Sequence, residues 1–253
     1  MTREAVSETI HDKMKITLLG TGDAIGTPKI GCSCSNCTYA VNHGLERLRT
    51  SLLVETDGHH LLVDSSPDLR RQLLKSGSPH IDAVIWTHGH YDHFLGYGEF
   101  YRVQDLPTVY APQKILDYCR QYFHFLPYED ARIEPYKSFS LFGLEITMFE
   151  VNHPPAYTCG VLIDTGKSRV AYTADTRKDI PKRSKNLLNG VDMLFVDAIA
   201  PSGYDIFKHM NYDDAEGLAT EVGAKDYICV HQAHMVSWDN PHSGKDMDEF
   251  LFN

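Results

Sequence analysis

The sequence predicts an α/β protein, and three observations lead to it. Short apolar runs recur with turn residues between them, amphipathic stretches with apolar residues three and four apart separate many of the runs, and reactive side chains stand where runs end. The runs KITLLG at 15–20, TSLLVET at 50–56, HLLVD at 60–64 and AVIWT at 83–87 read as strands. So do LEITMFEV at 144–151, CGVLIDT at 159–165, RVAYTAD at 169–175, DMLFVDA at 192–198 and DYICVH at 226–231. Helices are predicted over 67–76, 112–124, 181–189 and 211–222; Asn211 is a natural N-cap for the last, with Asp213 and Asp214 in its first turn, where the helix dipole favours negative charge.

A chain of 253 residues, 42% of them hydrophobic, can bury a large core, and no repeat, low-complexity tract or Pro/Gly-rich linker divides it. Residues 14–253 therefore read as a single domain behind a polar leader at 1–13 that is disordered or foreign to the native chain. Nothing approaches the roughly 18 apolar residues of a membrane span, and the first residues lack the apolar run of a secretory signal, so a soluble cytoplasmic protein with no membrane partner is expected. The net charge of -10 counts against a long contact with a nucleic-acid backbone, which draws its affinity from Lys and Arg, and favours a small-molecule substrate.

Asp64, His88, His153, Asp175, Asp197 and His231 each close an apolar run or follow it directly. Strand ends on a layered sheet are where sites are built on a rigid base, so these residues are expected along one cleft. The sharpest signal is THGHYDH at 87–93, which packs His88, His90, Asp92 and His93 directly after the run AVIW. Alternate residues leaving a strand point the same way, so His88 and His90 can share one metal ion while the turn carries Asp92 and His93 toward a second. Imidazole and carboxylate donors suit Zn²⁺ and Mn²⁺ alike. His153, Asp175 and His231 follow in the chain as candidates to complete a dinuclear site.

Cys32, Cys34 and Cys37 crowd into C-x-C-x-x-C, a spacing that suits a metal better than disulfides, whereas Cys119, Cys159 and Cys229 stand alone in or beside apolar runs and read as core residues. Three thiolates fall one short of a closed tetrahedral zinc site, and three reduced thiols without metal are the alternative.

THGHYDH together with His153, Asp175 and His231 resembles the metallo-β-lactamase superfamily pattern, over about residues 15–238. The resemblance implies a metallo-β-lactamase-like four-layer αββα sandwich. It implies one metal on His88, His90 and His153, the other on Asp92, His93 and His231, Asp175 bridging, and Asp64 as a structural aspartate behind the metal loop. Within the superfamily, MKITLLGTGDAIGTPKIGCSCSNC at 14–37 resembles the opening of the phosphodiesterases of carbon-phosphorus lyase operons, where such a cysteine cluster binds a structural zinc. By that resemblance His234, in HQAH, is the fourth ligand beside Cys32, Cys34 and Cys37. His209, in KHMNYDDA, resembles an element shared with the transfer-RNA 3′ processing endonucleases and is implied to be the general acid or a transition-state stabiliser; on its residues alone it reads as a loop histidine.

The expected activity is hydrolysis of small phosphodiesters, cyclic nucleotide or ribose cyclic phosphates by resemblance. Coordination to a divalent cation lowers the pKa of water to roughly 7, so hydroxide is the nucleophile, with Asp92 and His209 in the catalytic set. Two divalent cations outweigh Asp92, Asp175 and a hydroxide, and a net positive centre favours an anionic diester. Tyr91, Phe94, Tyr97 and Tyr101 near the metal loop are expected mainly in the core. The resemblance also suggests a homodimer. An RNA-processing endonuclease is the second reading, against which no basic RNA-gripping tract is found. A non-catalytic quinone-cofactor biosynthesis protein, sharing the cysteine-rich opening, is the third.

Overall fold

The computed structural model describes residues 13–253, so residues 1–12 of the leader lie outside the described residues. The chain runs β1 (Met14–Gly20), α1 (Ser35–His43), β2 (Ser51–Thr56), β3 (His59–Val63), α2 (Leu69–Lys75), β4 (Ala83–Ile85) and α3 (Tyr91–Phe94), then a 3₁₀ segment (Leu95–Arg102). It continues through β5 (Thr108–Ala111), α4 (Gln113–Arg120), β6 (Asp130–Arg132), β7 (Phe139–Leu141), β8 (Leu144–Glu150), β9 (Cys159–Asp164) and β10 (Arg169–Tyr172). Last come α5 (Lys182–Leu188), β11 (Met193–Asp197), α6 (Tyr212–Glu221), β12 (Tyr227–Val230) and β13 (Glu249–Phe252).

Two sheets result, one of seven strands in the order β13-β1-β2-β3-β4-β5-β6 and one of six in the order β12-β11-β10-β9-β8-β7. Period-two side-chain alternation explains how they stack, because both faces of most central strands are apolar. Leu18, Leu52, Val54, Val63 and Ile85 meet Ile146, Met148, Val161 and Phe195 between the sheets. The alternate residues Leu19, Leu53, Leu62 and Val84 face outward under α2 and α4, which supply Leu69, Ile115, Leu116 and Cys119. On the second sheet Leu162, Ala171, Leu194 and Val196 lie under Leu188 of α5 and Ala215, Leu218 and Ala219 of α6. The four layers αββα follow, as expected for a metallo-β-lactamase-like sandwich. Cys119, Cys159 and Cys229 are all fully buried in these layers.

Trp86, with no exposed surface, anchors the first outer layer; Phe94 and Tyr97 pack edge-on to it, at ring centroids of 5.9 and 5.2 Å. Burying an aromatic side chain removes about 150–250 Å² from water, about 4–6 kcal/mol at ~25 cal/mol per Å². Phe94 and Tyr97 are thus core residues as expected, while Tyr91 and Tyr101 are about half exposed.

Strand direction places the site. β3, β4 and β5 run parallel in one sheet, and β10, β11 and β12 run parallel in the other. Parallel strands end on the same edge, so the residues after β3, β4, β10, β11 and β12 emerge together. The expected strands form: β1 gains a residue at its start, β3 is shifted by one, and the others are one to three residues shorter than expected. The expectation missed α1, whose nine residues carry no clear apolar stripe but are capped by Cys34 and by Gly44 at φ 64°. It also missed β5, β6, β7 and β13, each of three or four residues and stabilised by pairing rather than by an apolar run.

Candidate metal centre

THGHYDH follows β4 as far as His90, whose backbone is extended at ψ 142° in the N-cap position, and then closes the single turn α3. That switch from strand to helix periodicity divides the motif: His88 and His90 stay with the extended arm, and Asp92 and His93 turn with the helix. Two quartets of donors result. His88, His90, His153 and Asp175 offer ligand atoms within 4.8 Å of one another, and Asp92, His93, Asp175 and His231 do the same. Asp175 belongs to both. All seven are buried except His90, which is half-buried.

Donor spacings test the site. Two nitrogens each 2.0–2.1 Å from a tetrahedral cation lie about 3.3 Å apart. In the first quartet His90 Nδ1 lies 3.2 Å from His88 Nε2 and 3.1 Å from His153 Nε2, while Asp175 Oδ2 lies 3.6 Å from His88 Nε2 and 3.7 Å from His153 Nε2. In the second, His93 Nε2 lies 3.2 Å from Asp92 Oδ2 and 3.3 Å from Asp175 Oδ1; His231 Nε2 lies 3.5 and 3.3 Å from the Oδ2 atoms of Asp92 and Asp175. His93 Nε2, His231 Nε2 and Asp175 Oδ1 are fully buried and have no hydrogen-bond partner among the described residues. An unsatisfied buried polar atom costs about 1–3 kcal/mol, so three of them aimed at one point fit a cation between them.

Electrostatics agree. Burial opposes charge on Asp175, but the imidazoles of His231, His93 and His88 hold its carboxyl well below the ordinary range. Burial likewise opposes charge on His93 and His231, yet carboxylates led by Asp175 raise both, His231 to about 9. Two buried carboxylates draw positive charge to these nitrogens, as protons or as metal ions.

Outer partners set the tautomers. Nδ1 of His93 donates to Asp64 at 2.7 Å and Nδ1 of His153 donates to the Lys208 carbonyl at 2.9 Å, which leaves Nε2 of each facing the centre. Asp64 also accepts from Thr87 N and Thr87 Oγ1 at 2.9 and 2.8 Å. Asp64, Ala174 and His231 take left-handed backbone at φ 62°, 54° and 59°, a conformation that costs a side-chain-bearing residue about 1–3 kcal/mol. Each turns the chain where a strand hands a donor or its support to the centre.

His209 stands at the rim, its side chain 13% exposed, with Nδ1 donating to Asp197 Oδ2 at 2.8 Å. Its ring stacks on His231 at 4.9 Å and lies 4.7 Å from His153. Asp197 is the residue to which the sequence reading assigned no role beyond a strand end. Its Oδ1 lies 3.7 Å from His231 Nδ1, and its Oδ2 also accepts from Thr176 N at 2.8 Å. Only the meeting of three chain segments reveals it.

Cys32, Cys34, Cys37 and His234 form a separate cluster with ligand atoms within 4.8 Å of one another. His234 Nδ1 lies 3.6 Å from Cys32 Sγ and 3.4 Å from Cys34 Sγ, where a tetrahedral zinc with bonds of 2.3 and 2.1 Å would set them about 3.6 Å apart. The N–H of Cys37, first among several donors, brings the Cys34 thiol down to about 6, as a thiolate ligand needs.

Known proteins resemble this chain over most of its length. A family model described as "Beta-lactamase superfamily domain" matches residues 59–232. Coenzyme PQQ synthesis protein B of a Methylobacterium species is 31% identical over 221 residues, covering 73% of this chain and 72% of that protein. An octanoyltransferase of Porphyromonas gingivalis is 29% identical over 248 residues, which is 90% of this chain and 48% of that protein, so the chain spans about half the length of that relative. Among solved structures, a diphosphatase from the PhnP family superposes with a TM-score of 0.84 at 28% identity, over 95% of this chain and 97% of that one.

Proposed function

The chain belongs to the metallo-β-lactamase superfamily, and from that premise we propose that it is a dinuclear metal-dependent phosphodiesterase of small phosphodiesters, cyclic nucleotide or ribose cyclic phosphates among them. One observation carries the reading: the two donor quartets share Asp175, and in the second of them His93 Nε2, His231 Nε2 and Asp175 Oδ1 are buried, unpartnered and aimed at a common point. The PhnP-family likeness supports a phosphoryl substrate.

His88, His90 and His153 would hold one cation and Asp92, His93 and His231 the other, Asp175 serving both. When bound, a pair of divalent cations supplies Lewis acidity to phosphoryl oxygens and lowers the pKa of water held beside it. The chain's own residues do the rest. Asp64 and the Lys208 carbonyl fix His93 and His153 against rotation, so the centre needs little reorganisation as charge develops. Asp197 holds His209 by Nδ1, which leaves Nε2 to donate a proton to the departing oxygen. Cys32, Cys34, Cys37 and His234 would hold a structural zinc, tying the loop before α1 to the segment three residues past His231.

The test is elemental analysis of the purified chain together with turnover of a 2′,3′-cyclic nucleotide, repeated for Asp175→Ala and His93→Ala. Expected are two catalytic metals and one structural zinc, and loss of turnover in both variants with the circular dichroism spectrum kept; turnover surviving in either overturns the assignment. The PQQ synthesis relative favours a second reading, a non-catalytic cofactor-biosynthesis protein. It would be favoured by one zinc per chain and no diester turnover.

A further inference from the structure

Beside His90 opens a pocket of about 270 Å³ that no role above uses, lined by Gly89, His90, Lys114, Ile115, Tyr118, Pro155, Ala156 and Tyr157. Complete ligands generally occupy about 300–1,000 Å³, so this space suits one substituent of a substrate whose phosphoryl group sits at the histidines.

Its walls are specific. The Tyr118 ring, from α4, rests on the backbone of Gly89: a Cβ at 89 would lie 2.3 Å from Tyr118 Cδ1, so the glycine between His88 and His90 is what lets an aromatic ring touch the metal loop. The Tyr118 hydroxyl meets that of Tyr122 at 3.2 Å. Tyr157 comes from the same loop as His153, and its hydroxyl donates to Glu150 Oε1 at 2.8 Å, which anchors the ring. Lys114 Nζ stands 4.5 Å over the Tyr157 ring, and among the described residues no acidic side chain lines the pocket. The Tyr118 ring, with the Lys114 ammonium held opposite on Tyr157, selects a flat group that carries hydrogen-bond acceptors.

We propose that the pocket between Tyr118 and Tyr157 is a base subsite, and that the preferred diesters are nucleotides whose base stacks on Tyr118 with Lys114 facing its acceptor atoms. This rests on the phosphodiesterase reading. It goes beyond that reading in separating nucleotides from cyclic phosphates of a bare sugar.

The experiment compares kcat/KM for 2′,3′-cyclic adenosine monophosphate with that for a ribose cyclic phosphate lacking a base, in the metal-loaded wild type, Tyr118→Ala and Tyr118→Phe. Independently of turnover, calorimetry measures adenosine monophosphate binding against inorganic phosphate. Loss of one base-aromatic stack should lower the ratio of the two specificity constants, and weaken the nucleotide relative to phosphate, by about 5- to 150-fold in Tyr118→Ala. Tyr118→Phe, which keeps the ring, should retain both. Turnover of both substrates with a ratio unmoved by Tyr118→Ala overturns the subsite and leaves the phosphodiesterase reading standing. Turnover of neither by the wild type overturns both.

Discussion

Asp64 Oδ2 accepts a 2.7 Å hydrogen bond from Nδ1 of His93, and neither side chain has any exposed surface. The same carboxylate takes two bonds from Thr87, at the start of the metal loop, so one residue at the end of β3 fixes both the path of the loop and the tautomer of its last histidine. Asp64→Asn places an amide where the His93 N–H needs an acceptor. Metal affinity or turnover is expected to fall about 10- to 100-fold. A chelator titration of the two proteins checks this, and equal affinity with equal turnover would contradict it.

His209 should matter in proportion to the need for a proton. Expulsion of a sugar alkoxide requires protonation, whereas p-nitrophenolate leaves unaided. His209→Ala is therefore expected to lower kcat by about 10²- to 10⁴-fold on a cyclic nucleotide and far less on bis(p-nitrophenyl) phosphate. Asp197→Asn should show the same selectivity more weakly, because it misorients the ring without removing it. Equal losses on both substrates would argue for a merely structural histidine.

Cys34→Ser removes one thiolate from the cluster of Cys32, Cys34, Cys37 and His234. One zinc per chain should be lost and the melting temperature should drop, by about 2–4 °C for each kcal/mol of stability forfeited. Residual activity per folded molecule should fall less than stability does. Unchanged zinc content with an unchanged melting curve would remove the structural zinc from the account.

Asp246 offers a test away from the centre. Burial pushes its carboxyl up to about 7 from an ordinary 3.8, against the lowering effect of bonds from Leu48 N and from Thr21. The folded state thus holds a proton that the unfolded chain has released. The associated stability is fully present below pH ~4 and is lost as pH rises to about 7. Between pH 5 and pH 8, Asp246→Asn should gain about 3 kcal/mol relative to the wild type, read from denaturant midpoints. Parallel pH profiles would contradict this.

Much of the protein is legible one segment at a time. The period-two runs around Leu52, Leu62, Val161 and Phe195 foretell strands with two buried faces, and THGHYDH announces its own chemistry because its donors are neighbours in the chain. Local pattern also sufficed for the Asn211 cap, whose side chain accepts from Asp214 N at 2.8 Å. The four-residue strand β5 and the three-residue strand β6 have no such signature, since each exists by pairing with a neighbour that only the fold brings alongside.

What the sequence by itself determined is which atoms are available as donors and which segments are strands that end in them. The tertiary structure alone decided that Asp175 lies within reach of both histidine groups, that Asp197 joins His209 to His231, and that the Tyr118 ring lies on Gly89. The reason is that these meetings join residues from 12 to 87 positions apart in the chain. Their distances are set by the parallel register of strands in two sheets and by the packing between those sheets, and neither is written in any local stretch of chain.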